Sequence, residues 1–304
     1  MPKNQRFDSR QYMKSSTYEI FRYKDDYPQH VSLHHHDFYE IYFFLAGNVQ
    51  YNIESRSYMM TPGDVLLISP MELHQPVFTQ GHRVYERIVL WINRQFLESL
   101  SSPGQDFTRC FDTTIPGHSN LLRPAGVSRE YLTFLMEQIR MELESSDPYH
   151  EVSAMTYLAQ LLISLNRMAM QNKGEGRIKA PDSAVYNVLN YINEHYEEEL
   201  TLDSLANRFF ISKYHLSREF QRLIGTSVHR YIVQKRLAVA KQMLSDGVPS
   251  SEVYQHCGFG DYSNFYRAFR SEYQISPKEF VRRMKESDPR EELLPLRLLE
   301  QLEK

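Results

Sequence analysis

Three consecutive histidines, His34, His35 and His36, are followed by Glu40, and a fourth histidine, His74, lies further on. Side chains alternate along a strand, so His34 and His36 share one face and His35 takes the other. His35 is therefore expected to point away from whatever the other two serve. Three imidazoles and a carboxylate can hold a divalent ion such as Zn, Fe, Mn or Ni. The same set can hydrogen-bond a polar small molecule, or can simply be structural. Spacing alone leaves these three open.

The elements that must position these groups are short and β-like from His34 to about Val89. Ile41 to Leu45 is dense in aromatics and ends at Gly47-Asn48; Val49, Tyr51 and Ile53 alternate with polar neighbours, as do Tyr58 and Met60. Val65 to Ile68 stops at Ser69-Pro70, and Arg87 to Ile92 is a further strand. Short strands parted by Gly, Pro and Asn turns predict a β-sandwich or small barrel. Residues 1–30 and 99–127 show no usable period. Ser128–Glu144 and Val152–Met170 repeat apolar residues at three- and four-residue steps and predict two helices. These could pack on the barrel or form a dimer surface. Gln171–Arg177 is polar and glycine-bearing and predicts a linker.

Charge divides the chain. Residues 201–285 carry 14 Lys+Arg against 7 Asp+Glu, a net of +7, in a chain whose total is −3. A basic module beside an acidic remainder is the asymmetry of a nucleic-acid-binding unit joined to a control unit. Two cysteines, Cys110 and Cys257, are too few for a disulfide framework. There is no secretory h-region, and the longest apolar run falls far short of a membrane span, so a cytoplasmic location without membrane partners is expected. Neither a Gly-rich nucleotide loop nor a Ser/His/Asp arrangement is evident, and the chain is read as a non-enzyme.

The basic part contains an internal repeat. Shifting residues 212–231 by 49 positions places Ser212 on Asp261, Leu216 on Phe265, Arg218 on Arg267, Phe220 on Phe269, Ser227 on Ser276 and Tyr231 on Phe280. Each copy follows a short helical stretch and a tight turn, Leu202–Phe209 in one case and Ser251–His256 in the other. Helix, turn and capped second helix make a helix-turn-helix. The stretch 227–244 would join two of them rigidly. Two helices entering successive major grooves lie about 34 Å apart.

Thr201 to Arg283 resembles the DNA-binding domain of the AraC/XylS family of transcription regulators. The resemblance rests on Leu205-Ala206, Ser212, Leu216–Phe220, Gly225, Arg236-Leu237, Gly258-Phe259, Asp261, Ser263, Phe265, Arg267, Phe269 and Ser276-Pro277. Tyr254, where a small residue is usual, and Gln274, where Gly is usual, depart from the pattern. The H-x-H-x3-E-x6-G run from His34 to Gly47, with Pro62-Gly63-Asp64 and Pro70-x3-His74, resembles the cupin motifs, and such barrels are the usual sensors of this family.

The resemblance implies a multidomain α+β chain. A cupin-like β-barrel (jelly roll) at 20–125 is followed by a helical dimerisation and linker region at 126–172 and an all-α double helix-turn-helix at 183–285. It implies a ligand-responsive, sequence-specific regulator, with activation as the expected sign. Its partners would be promoter DNA, a small effector such as a sugar, a second copy of the chain and RNA polymerase. Positions resembling base contacts are Tyr214, Ser217 and Arg218 in the first unit and Tyr262, Ser263, Asn264 and Arg267 in the second. Lys235 and Arg236 are expected near phosphates. His34, His36, Glu40 and His74 are the expected effector contacts, or alternatively the ligands of a divalent metal; no other cofactor is expected. The competing readings are a metal-dependent cupin enzyme and a constitutive DNA-binding protein with a purely dimerising barrel.

Overall fold

The computed structural model describes residues 12–26, 31–78, 84–102, 104–171 and 184–286. The expected linker beyond Gln171 and the leucine-bearing tail beyond Glu286 lie outside these residues. The N-terminal half forms two antiparallel sheets. Its strands are β1 (Tyr18–Asp25), β2 (Tyr39–Ala46), β3 (Val49–Ile53), β4 (Arg56–Met59), β5 (Val65–Ile68), β6 (His74–Phe78), β7 (Tyr85–Ile92) and β8 (Leu121–Leu122). The five-stranded sheet runs β1-β7-β2-β5-β8 and the three-stranded sheet β4-β3-β6.

β2 reads as an almost continuous apolar run because both of its faces are covered. Tyr42 and Phe44 join Tyr51, Ile53, Tyr58, Tyr85 and Trp91 between the sheets. Ile41 and Phe43 join Val65, Leu67, Ile88 and Leu90 on the outer face, beneath two helices. These helices are α2 (Val127–Glu144) and α3 (His150–Gln171), which follow a short α1 (Arg94–Ser99). Leu132, Leu135, Met136 and Ile139 of α2, with Leu158, Leu161, Leu162 and Leu165 of α3, complete that core. The helices therefore pack on their own barrel. Their outer sides still expose Phe134 and Met141, and Leu143 is exposed too.

β1 is the element that the periodicity did not show. It is an edge strand paired along its length with β7, from Tyr18 opposite Ile92 to Asp25 opposite Tyr85. Its residues are mostly half-buried, so no clean alternation marks it. In the aperiodic stretch after α1, a turn at Arg109–Phe111 that buries Cys110 and Phe111, and the two-residue β8, close the barrel.

The C-terminal half is helical: α4 (Ala184–Glu194), α5 (Leu202–Arg208), α6 (Lys213–Ile224), α7 (Val228–Ser245), α8 (Val253–His256), α9 (Tyr262–Tyr273) and α10 (Pro277–Glu286). The caps stand where Ser, Thr and Asp were expected to satisfy free backbone N–H groups. Thr201 and Ser204 form a reciprocal capping box on α5. Ser212, Ser227 and Asp261 accept from His215, Arg230 and Asn264 at the starts of α6, α7 and α9. Gly225 ends α6 in the left-handed region, and Gln274 holds the same conformation at the end of α9. Gln274 therefore makes the turn at a cost that Gly avoids. At Gly258 only Gly fits: its φ is +74°, and a Cβ would lie 2.5 Å from the Tyr196 carbonyl oxygen.

α7 is the axle between two separate cores. Its first half, through Val228, Tyr231 and Ile232, belongs with Leu216, Phe220 and α4. Its second half, through Leu237, Ala240 and Leu244, belongs with Phe265, Phe269 and Phe280.

Candidate functional site

The chain brings His36, Glu40 and His74 together, with His34 beside them. His34 and His74 form an antiparallel bridge, with backbone N···O distances of 3.1 and 2.9 Å. The His74 ring lies 4.3 Å from that of His34 and 4.8 Å from that of His36. Candidate ligand atoms of His36, Glu40 and His74, all three buried, lie within 4.8 Å of one another.

Each imidazole is oriented by its own backbone neighbourhood. Nδ1 of His34 faces the Ser32 carbonyl at 2.9 Å, that of His36 the Phe38 carbonyl at 2.9 Å, and that of His74 the Glu72 carbonyl at 2.8 Å. A carbonyl only accepts, so each Nδ1 carries the proton and a neutral ring presents a lone pair at Nε2. Nε2 of His74 is buried and has no hydrogen-bond partner among the described residues. Nε2 of His36 faces Oε2 of Glu40 at 3.3 Å, and Trp91 donates its indole N–H to the same oxygen at 2.8 Å. A lone pair facing a carboxylate is repulsive unless a proton or a cation stands between them. The donor set thus fits a divalent ion, and it fits a polar ligand equally well.

The electrostatics agree. Burial pulls His74 well below the ordinary imidazole value, and the nearby His34 and His36 add to that. Burial also lowers His34. Burial alone would raise Glu40, but the adjacent His36 and His34 and the Trp91 N–H outweigh this and hold it low. Burial thus favours neutral His34 and His74 beside a carboxylate, the state in which such groups coordinate. Behind them the barrel interior is aromatic and polar: Tyr42 and Tyr85 share a hydroxyl contact at 2.5 Å, and Arg87 lies over the rings of Tyr23 and Tyr85.

The opposite face of the same two segments meets the helical module. Leu33 and Leu73 are part of the core formed by Val185, Leu189, Leu216, Phe220 and Ile232. His35 points away from the other histidines, and its Nε2 lies 2.9 Å from the Tyr273 hydroxyl. Asp37 pairs with Lys241 at 3.1 Å. Gln75 donates to the Ile224 carbonyl at 2.8 Å, and Gln234 donates to that of Leu33 at 3.3 Å.

On the helical module, Tyr214, Ser217 and Arg218 project from α6 into solvent, Tyr214 being 74% exposed and the Arg218 side chain 62%. Tyr262, Ser263, Asn264 and Arg267 are exposed on α9. There Arg267 donates to Asn264 Oδ1 at 2.6 Å, and Asn264 donates to Asp261 at 2.7 Å. The barrel covers neither helix face. Arg218→Ala is expected to weaken specific DNA binding by about 1–3 kcal/mol and to relax preference at one base pair, as loss of a bidentate guanine contact would. Binding-site selection with both proteins checks this. An unchanged preference together with a lowered Tm would make Arg218 structural.

Two residues expected near phosphates have partners within the chain. Lys235 pairs with Glu54 of the barrel at 2.8 Å, both side chains being 16% exposed. Arg236 donates to the carbonyls of Tyr196 and Glu198 at 2.8 and 2.7 Å, clamping the connection between α4 and α5. A basic residue on an amphipathic helix has no local mark that separates these roles from a phosphate contact. Glu54, Gln75 and Asn52, whose amide approaches the Leu223 carbonyl at 3.5 Å, had no motif at all. Only strand alternation beside His74 could have pointed to Gln75.

The profile of a family described as "AraC-like ligand binding domain" matches residues 17–162, and that of a "Helix-turn-helix domain" matches 205–283. The HTH-type transcriptional activator RhaS of Escherichia coli O157:H7 is 25% identical over 255 residues, covering 84% of this chain and 87% of that protein. RhaS of Salmonella schwarzengrund is 25% identical over 247 residues, covering 81% and 86%. Among solved structures, the C-terminal domain of the two-component response regulator yesN from Fusobacterium nucleatum is 31% identical, with a TM-score of 0.30, covering 31% of this chain and 94% of that domain.

Proposed function

Because the chain belongs to the AraC/XylS family of ligand-responsive, DNA-binding transcription regulators, we propose that its signal enters at the histidine cluster and crosses to the DNA-binding module through the two segments that carry the histidines. One observation carries this reading. Residues 33–37 and 73–75 turn His34, His36 and His74 to one side and Leu33, His35, Asp37, Leu73 and Gln75 to the other, against the helical module. A ligand that shifts the imidazoles must shift the backbone between the two sets.

The occupant is a small polar molecule. Lone pairs at Nε2, the Glu40 carboxylate and the hydroxyls of Tyr42, Tyr51 and Tyr85 are suited to a polyhydroxylated compound such as a sugar, with Trp91 and Phe38 as flat neighbours. A second reading, favoured by His36 facing Glu40 with its proton held at Nδ1, is a divalent metal held by His36, Glu40 and His74 with His34 beside them. It would supply a Lewis-acidic centre for an oxygen of the effector. The role is regulatory rather than enzymatic, and activation is the sign that the RhaS relatives support. Dimerisation would use the outward faces of α2 and α3, where Phe134 and Met141 are exposed.

The test is a thermal-shift screen of sugars and divalent metals on the full chain, followed by promoter output. A compound that stabilises the wild type is expected to lose its effect in His74→Ala. Gln75→Ala should keep the stabilisation and lose the transcriptional response. Equal stabilisation of His74→Ala would remove the cluster as the receiving site.

A further inference from the structure

The turn of the first helix-turn-helix contains a residue at odds with its surroundings. α5 ends at Phe209, and the next residue, Phe210, holds φ +55° and is 96% exposed. The left-handed region is disfavoured for any side chain with a Cβ, and a large apolar side chain in water adds a second cost. The second copy shows the alternative: the left-handed residue that follows the Cys257 cap of α8 is Gly258, in a turn one residue longer before Asp261. The turn around Phe210 is held by backbone bonds, Phe210 N–H to Asn207 O at 3.3 Å and Ile211 N–H to Ala206 O at 3.0 Å, and by the packing of its neighbours Phe209 and Ile211. Ile211 is a partly buried member of the adjoining core, whereas Phe210 is outside it.

Its place in the fold says what it can meet. The C-terminal end of α6 is seated on the barrel, where Gln75 and Asn52 take the last carbonyls. Twelve residues of helix, about 18 Å, separate that seat from the N-terminal end. Phe210 stands two residues before the Ser212 cap, at the free end, and Tyr214 is exposed one turn further on. A recognition helix contacts base edges with its N-terminal residues. The one apolar group on a major-groove edge is the C5-methyl of thymine.

We propose that Phe210 is a specificity-determining residue that packs on a thymine methyl at the edge of the site read by α6. The proposal rests on DNA binding by the helical module and adds a residue to it. Burying one methyl is worth about fourfold in affinity, which sets the size of the effect.

The experiment selects a duplex from a randomised pool with the full-length wild-type chain. Single thymines in it are then replaced by uracil, which removes only the methyl. One replacement is expected to weaken wild-type binding about fourfold and to leave Phe210→Asn unaffected. Asn tolerates the left-handed turn, so Phe210→Asn should keep or raise the Tm while binding the all-thymine duplex about fourfold more weakly. Phe210→Leu should regain part of the uracil penalty. The proposal is overturned if Phe210→Asn binds as tightly as wild type, or if the uracil penalty persists in it. Unchanged DNA binding with reduced transcription would assign Phe210 to a protein partner and overturn the proposal as well. A wild-type chain that enriches no sequence would overturn both DNA reading and this residue's part in it.

Discussion

Phe269→Ala is expected to loosen the second helix-turn-helix while leaving the first folded. The Phe269 ring is fully buried, with its centroid 5.6 Å from Phe265, 4.5 Å from Tyr273 and 6.0 Å from Phe280. Removing a buried Phe costs about 3–5 kcal/mol, through lost transfer energy and the cavity left behind. That is a large share of what a module of this size has to spare. The loss should stay local because the two apolar cores are separate clusters that share α7. Amide exchange checks it: residues 253–284 should lose protection while α5 and α6 keep theirs. DNA protection by the variant should shrink to the half contacted by α6. Uniform loss of protection across both units would show that α7 couples them into one cooperative block.

The second large effect is expected at Leu73. Its side chain is fully buried in a core that, apart from Leu33, is built by the helical module. Leu73→Ala is expected to cost about 2–5 kcal/mol, all of it at the seam between barrel and helices. Leu73→Asp should do more, since a carboxylate there has no partner of opposite charge in that core and must open the seam to reach water. Calorimetry of the wild type should show one transition, and that of Leu73→Asp two. Promoter output should become independent of effector, while effector binding survives because His34, His36 and His74 lie on the other face. A single transition with intact effector control would show that the remaining contacts, Lys235–Glu54 and Lys241–Asp37 among them, suffice.

The same seam revises the role of His35. Strand alternation placed it opposite His34 and His36, and its bond to Tyr273 is on that opposite side. Alternation, however, says which way a side chain points and not what stands there. The structure instead makes His35 a contact between modules, so His35→Ala should disturb regulation without touching the effector site.

What the chain determined locally was legible from its letters. Period-two alternation placed β3, full apolar runs placed β2 and β5, and three-to-four spacing placed α2 and α3. Ser212, Ser227 and Asp261 announced helix starts, because a capping hydroxyl or carboxylate acts within three residues of itself. The 49-residue repeat disclosed two recognition helices with their solvent faces. The edge strand β1 escaped because a half-buried strand shows no sharp alternation. The pairing of Lys235 with Glu54 escaped for a different reason. These residues are 181 positions apart, and their meeting depends on how two separately folded modules dock. No local propensity encodes that, since docking is decided by the shape and charge of whole surfaces. Period, caps and repeat were therefore properties of the sequence alone, whereas the tertiary structure decided that the segments bearing the histidines are also the seat of the DNA-binding module.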